Sequence, residues 1–349
     1  FGEPSDIGIS SVLNKFWESL ETLSKDASAE EARETVKERG ITLANTINHA
    51  TYQLKDLQED LNYRISIKVD EINSIARQIA DINQQIQQLE IHGTSAADLR
   101  DKRDILLDDL STLVQHESYE DENGRFTINI GGAILVKGND SANLEFDAET
   151  AEIRWKEYEV EARILNGELK GLIELRDDRV GHYLEQLDVF VEGFVEAFND
   201  IHMDGHDLYG NEGIEFFIYD KESKVLSVNS DIVEDPSLIA AAEEPTGIPS
   251  DNRNALKLAN FRNEIIAFGK TDESEGRKVT TDEFYGALMS KIGVDSQEAG
   301  RAADSQLFMV SQLDERRKSV SSVSEDEEMT KMIAHLHAYN SASRVITTV

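Results

Sequence analysis

Residues 41–92 read ITLANTINHATYQLKDLQEDLNYRISIKVDEINSIARQIADINQQIQQLEIH, without a single Gly or Pro. Leu43, Ile47, Ala50, Leu54, Leu57 and Leu61 recur at helical spacings of three and four residues. That places them on one stripe of an α-helix that could reach roughly 75 Å. Such a helix is several times the mean length in globular proteins and must lie against other elements to bury its stripe. Leu61, Ile65, Val69 and Ile72 follow at spacings of four, four and three, before the repeat resumes at Ile75, Ile79, Ile82, Ile86 and Leu89. Two successive fours act as a stutter, which locally unwinds a left-handed supercoil. True coiled-coil packing and an amphipathic helix in an ordinary bundle both fit the pattern, because the flanking positions are not clean charge pairs.

The chain has 349 residues, enough for two or three domains and a sizeable core. Its 35 Lys and Arg against 69 Asp and Glu give a formal charge of −34. A charge of that sign repels nucleic-acid phosphates and anionic lipid, which argues against both as partners. The absence of cysteine excludes disulfides, a thiol nucleophile and thiolate metal sites together. No apolar run approaches the roughly twenty residues that cross a bilayer, and the N-terminus lacks the pattern of a cleavable signal. Because the sequence opens on Phe1 and its last helical pattern still runs at Val349, we expect an excised part of a longer protein.

Helical patterning dominates both ends. Val12, Phe16, Leu20 and Leu23 predict a first helix, and Gly40 punctuates the approach to the long one. Gly93, Thr94 and Ser95 connect to a return helix carrying Leu99, Ile105, Leu106, Leu110 and Val114. The period then drops to two: after the turn signal Asp121–Gly124, alternation at Phe126, Ile128 and Ile130 begins a run of strands that ends near Gly167. Leu172, Leu175, Val180, Leu184, Leu187, Val191, Phe194, Phe198 and Ile201 share one helical face again. Phe216–Tyr219 and Val225–Val228 predict a second β insert. Ala255, Leu258 and Phe261 restart a helix, and residues 270–278 read as a polar loop. Phe284 to Leu313 predict one long helix despite Gly286, Gly293 and Gly300; Ser324 with Glu327 forms a capping box before the last helix.

The expected fold is α+β and mainly α. Its helical stem comprises residues 1–116, 169–205 and 251–349, with the terminal stretches side by side. Its β-rich inserts fall at 117–168 and 206–250, in one domain or two.

The most chemistry-like cluster is Asp200, His202, Asp204, His206 and Asp207, a crowd of potential metal ligands at a helix end without EF-hand or zincin spacing. It suggests, as an alternative function, a secreted metal-dependent hydrolase with a site near His202, Asp204 and His206. The bland reading is a polar helix end in a very acidic chain. His335 and His337 fall on different sides of a helix and make a poor chelating pair. Gly269–Lys270–Thr271 imitates the end of a phosphate loop but lacks its first glycine. No pair of carboxylates stands out as acid and base, so neither a catalytic site nor a cofactor is expected. A secreted coiled-coil adhesin or translocator would share the long helices.

Several segments together resemble the flagellar hook-associated protein 1 (FlgK) family, the hook-filament junction proteins. They are LSKDAS at 23–28, VDEINSIARQIADINQQI at 69–86, DLRDKRDILLDDLSTLV at 98–114, NGELKGLIELRD at 166–177, FNDIHMDGHDLYG at 198–210, LSVNSDI at 226–232, DNRNALKLANF at 251–261 and SVSSVSEDEEMTKMIAHLHAYNSASRVITT at 319–348. The resemblance is colinear over nearly the whole chain. Ser322 and Glu325 stand where the family usually has Gly and Leu, and Leu336 where it usually has Gln.

The resemblance implies a structural protein exported by the flagellar type III pathway without a cleavable signal and assembled outside the cell as a ring between hook and filament. The implied partners are further copies of itself, the hook protein, the second hook-associated protein and an export chaperone. Without the innermost helices this chain is expected to be monomeric. As subunit contacts we nominate Gln84, Gln88, Arg100, Lys102, Arg103, Arg316 and Arg317, which would otherwise be a solvated face. Replacing Arg103 and Arg316 with Glu is expected to weaken assembly and leave the fold intact.

Overall fold

The computed structural model describes residues 8–91, 95–269, 275–321 and 325–348. It contains two compact units, residues 1–288 and 289–349. The fold is mainly α-helical with small antiparallel sheets.

The first unit is organised on one helix. After α1 (Ile9–Lys25), α2 runs from Glu30 to Ile91, 62 residues, or about 90 Å at the standard rise. Glycine ordinarily weakens a helix interior, yet α2 continues through Gly40. The reason is tertiary: a Cβ built on Gly40 would stand 2.8 Å from Cε1 of Phe216, so the bare backbone is what lets the Phe216 segment seat against the helix. Most of the stripe from Leu43 to Ile86 is buried, including the stutter residues Leu61, Ile65, Val69 and Ile72, and Ile82 is half-buried. Leu57 and Leu89 depart from expectation, at 42% and 40% exposed. The stripe that joins Leu54 to Leu61 and Ile65 passes through position 58, where Gln58 is half-buried, and leaves Leu57 on its flank.

Two cores form along α2. The first is aromatic. Phe16 and Trp17 of α1 meet Phe194 and Phe198 of α5 (His182–Met203), with Phe216, Phe217 and Phe261 closing the cluster at centroid separations of 4.8–6.1 Å. The hairpin β8–β9 (Phe217–Asp220, Val225–Val228) and the short α6 (Ser230–Glu234) and α7 (Arg253–Asn260) complete it.

The second core lies further along α2, where Ile65, Val69, Ile72, Ala76 and Ile79 pack against Leu110 and Leu113 of α3 (Ala97–Leu113) and against β-strand residues Ile128, Leu135, Leu144 and Trp155. The strands are β1 (Glu117–Glu120), β2 (Phe126–Ile130), β3 (Ala133–Lys137), β4 (Asp140–Ser141), β5 (Leu144–Asp147), β6 (Glu152–Trp155) and β7 (Val160–Glu161). They make two antiparallel sheets, ordered β1-β2-β3-β4 and β5-β6-β7.

Between the cores, α4 (Glu168–Glu174) passes into a π-helical turn, Leu175–Gly181, and then into α5. Arg176 of that turn is buried. It holds Asp177 at 2.7 and 2.8 Å and donates to Asn62 Oδ1 of α2 at 3.0 Å. The sequence periodicity put Leu175 on the buried face with Leu172, but it is exposed, because the wider π-turn changes the rotation per residue within the helical run.

The expected polar loop at 270–278 is partly a hairpin, β10 (Ile266–Phe268) with β11 (Arg277–Val279), although its turn lies outside the described residues. The second unit consists of the remainder of α8 (Thr281–Ser321), which does run through all three glycines, and α9 (Glu325–Thr348). From residue 296 every described side chain in it is exposed. The capping serine Ser324 and the family departure Ser322 lie outside the described residues.

Candidate functional site

Asparagines on the buried faces of helices anchor the strands. Asn73 of α2 donates through Nδ2 to the Leu144 carbonyl at 2.8 Å and accepts from the Leu144 N–H at 2.8 Å, so one amide supplies both halves of a strand pairing to β5. Asn48 does the same for Leu226 of β9, at 2.7 and 2.8 Å. Asn83 donates to the Gly138 carbonyl, and Asn199 of α5 accepts from the N–H groups of Phe216 and Phe217 while donating to the Phe217 carbonyl. A buried backbone polar group must find a partner; here helical side chains provide it.

At the far end of α2 an ionic network joins three elements. Arg100 bridges Glu90 of α2 and Glu120 of β1, with four nitrogen–oxygen distances of 3.0–3.2 Å. Arg103, 5% exposed, donates to Asn83 Oδ1 and Glu120 and lies 3.9 Å over the Phe126 ring. Its paired arginines hold the Glu120 carboxyl below its ordinary range.

This corrects the expectation for Arg103. The guanidinium is used inside the unit, and replacing it with Glu would attack the fold before any subunit contact. Arg100 is half-buried and similarly engaged. Gln84, Gln88 and Lys102 are exposed on α2 and α3, and Arg316 and Arg317 are exposed on α8 in the second unit.

The suspected metal cluster does not come together. His202 is fully buried; its Nδ1 donates to the Ile214 carbonyl at 2.6 Å and its Nε2 accepts from the Ala240 N–H at 2.9 Å, leaving no ring nitrogen for a ligand. Burial, with the nearby Arg33 cation, pulls its pKa down to about 4. Arg33 is itself buried and clamps the carbonyls of Ala27, Ser237 and Ile239. Asp207 accepts from the backbone N–H groups of Tyr209 and Asn211, organising its own turn. Among the described residues no group of three or more His, Asp or Glu side chains is gathered as a metal would require. Nor, among them, is any helix long and apolar enough to cross a membrane.

Sequence reasoning missed the asparagine anchors, although a signal was present: Asn73 and Asn83 occupy stripe positions otherwise held by Ile, Val and Ala. The family model for the flagellar hook-associated protein FlgK helical domain matches residues 1–217, the part that contains α1, α2, both β5–β7 and β1–β4 sheets and α5.

The chain belongs to the FlgK family of flagellar hook-associated proteins.

Flagellar hook-associated protein 1 of Bacillus subtilis is 31% identical over an alignment covering 99% of this chain and 75% of that protein. Its counterpart in Salmonella typhimurium is 29% identical over 60% of this chain and 40% of its own length; that of Escherichia coli is 26% identical over 73% and 51%. The solved structure of the flagellar hook junction protein FlgK from Burkholderia pseudomallei superposes with a TM-score of 0.57 at 26% identity, covering 61% of this chain and 41% of that one. The family is structural rather than enzymatic, and nothing in the geometry around His202 favours a hydrolase.

Proposed function

We propose that this chain forms the body of a hook-filament junction subunit, a structural part of the bacterial flagellum that self-assembles into a ring. Its partners are further copies of itself, the hook protein on one side and the second hook-associated protein on the other, with an export chaperone before assembly. The observation that carries this reading is the alignment with the Bacillus subtilis protein over 99% of this chain. Physical chemistry supports it: a continuous helix clipped to sheets by buried amides is suited to transmit load, and identical subunits in repeated contact need no chemistry to do so.

On this reading the subunit leaves the cell through the flagellar export pathway without a cleavable signal, and the isolated chain is monomeric. The division into stem segments 1–116, 169–205 and 251–349 with inserts at 117–168 and 206–250 belongs to the same proposal. The exposed Leu307, Val310, Leu313, Met332, Ile333 and Leu336 of α8 and α9 are then covered in the assembled ring, since bare apolar stripes of this length mark interaction surfaces. Gln84, Gln88, Lys102, Arg316 and Arg317 remain as candidate polar contacts around it.

The test is genetic. Cells lacking the protein are expected to build complete hooks and shed unpolymerised flagellin, with filaments restored by the wild-type gene; filaments of normal length and number in its absence would overturn the proposal.

A further inference from the structure

Between α2, α5 and the β8–β9 hairpin lies a cavity of about 280 Å³. Ile47, Leu184, Leu187 and Val191 give it an apolar lining, and its charged residues are Lys55, Lys224, Asp188 and Glu185; Glu185 is largely exposed, with one carboxylate oxygen 3.8 Å from His182 Nδ1. The two lysines differ. Lys224 is neutralised by Asp188, whose other carboxylate oxygen accepts from the Tyr219 hydroxyl. Lys55 donates to the Ser223 carbonyl at 3.1 Å, and among the described residues it has no carboxylate partner. Lys55, on the α2 side of this apolar hole and without an ion pair among the described residues, suits an apolar group that carries an anion next to it.

The same chain presents such a group elsewhere. The turn between β6 and β7 projects Tyr158, 61% exposed, followed by Glu159 and the exposed Val160. This turn is pre-shaped: the N–H groups of Tyr158 and Glu159 both donate to the Trp155 carbonyl, at 3.2 and 2.8 Å, and Glu159 sits at φ +52°. Glu157 is engaged by Asn143, whereas among the described residues the Glu159 carboxylate has no partner. Pre-organised aromatic side chains are the usual anchors of protein interfaces, because little entropy is lost on docking them.

We propose that the cavity receives Tyr158 from a second copy of this chain, with that copy's Glu159 meeting Lys55. In a ring this contact is heterologous, each copy giving its knob to one neighbour and its hole to the other; a reciprocal pair, closing at a dimer, would overturn it. The inference rests on the ring reading above and names one lateral contact within it.

The test uses the full-length protein in a strain lacking its own copy. As this chain has no cysteine, K55C and E159C are introduced together, and isolated hook-junction particles are treated with a short bis-maleimide, which spans the distance that the two longer side chains bridged and a disulfide would not. Cross-linked ladders of this protein are expected from the double variant and from neither single variant. Separately, K55E is expected to lower the fraction of cells retaining filaments roughly tenfold, the scale of one lost interfacial charge pair, and E159K in the same chain to restore it. Thermal unfolding of each purified variant at the wild-type temperature confirms the fold.

Absence of cross-linked ladders in assembled junctions, a cross-link from the K55C thiol to a different protein, or K55E filaments equal to wild type would overturn the contact while wild-type complementation upheld the junction role. Failure of the wild-type gene to restore filaments would instead remove the junction reading itself.

Discussion

Asn73 shows how a single side chain decides whether a sheet stays on its helix. Replacing it with Leu keeps the bulk but strands the N–H and C=O of Leu144, both of which this amide engages. A lost partner for a buried polar group costs about 1–3 kcal/mol. We therefore expect Asn73→Leu to lower stability by roughly 3 kcal/mol in urea unfolding, and an unchanged midpoint would show that water replaces the amide.

His202 makes a pH prediction at the same scale. Its folded pKa of about 4 lies below the ordinary 6.5, because burial and the nearby Arg33 disfavour the cation, and Nε2 can accept from the Ala240 N–H only in the neutral ring. The unfolded chain therefore binds the proton more tightly. The stability that neutral His202 contributes is complete above pH 6.5 and is lost as pH falls from 6.5 through 4, roughly 3 kcal/mol in all. His202→Gln is expected to flatten that window in urea midpoints measured at about pH 7.5, 5.5 and 4.5, which bracket the ordinary histidine range.

Neither role was legible beforehand, for a physical reason. An Asn on an apolar stripe reads as an interruption until its strand partner is known. A His among aspartates reads as a metal ligand until burial shows its nitrogens taken.

At the scale of elements, Gly40 sets two effects against each other. Alanine there would gain up to about 1 kcal/mol of helix propensity, but its Cβ would press on the Phe216 ring at 2.8 Å, and overpacking costs about 1–3 kcal/mol. Gly40→Ala is thus expected to destabilise by roughly 1–2 kcal/mol, measured by thermal or urea unfolding, whereas a stabilised variant would mean that Phe216 yields freely. The same conflict explains the error in reading Gly40 as a helix boundary: local propensity pointed one way and the ring of Phe216, far along the chain, pointed the other.

Helices with a long, regular period were plain in the sequence, as were the alternating strands Phe126–Ile130. The three-residue strands of β10 and β11 were not, because so short a run carries no periodicity. The π-turn escaped for a related reason: a change of pitch within one helical run is invisible to a template of fixed period, and it turned Leu175 outward.

For the molecule as a whole, one helix serving two cores predicts how the first unit unfolds. The chain's two tryptophans fall one in each core, Trp17 among the phenylalanines and Trp155 among the strands. With W155F and W17F as single-tryptophan reporters, the two fluorescence transitions in urea are expected to coincide, since melting either core leaves α2 without its cover. Phe198→Ala should then shift both midpoints by the stability lost from a large core cavity, about 3–5 kcal/mol; a shift confined to the Trp17 signal would show that the cores melt independently. The family and the mainly helical class were legible because the matching phrases lie colinearly along the chain. The location of subunit contacts was not, as Arg103 illustrates: a cation in a charged helix looks the same in sequence whether it faces solvent or an aromatic ring.

The amide clips of Asn48 and Asn73 sit on one uninterrupted helix, about 37 Å apart at the standard rise. Their separation is therefore a fixed gauge length, maintained by peptide geometry with no joint between. Tension applied to β5 is handed to β9 as axial strain along hydrogen bonds arrayed in series, so the two sheets must travel together, like carriages on a common drawbar.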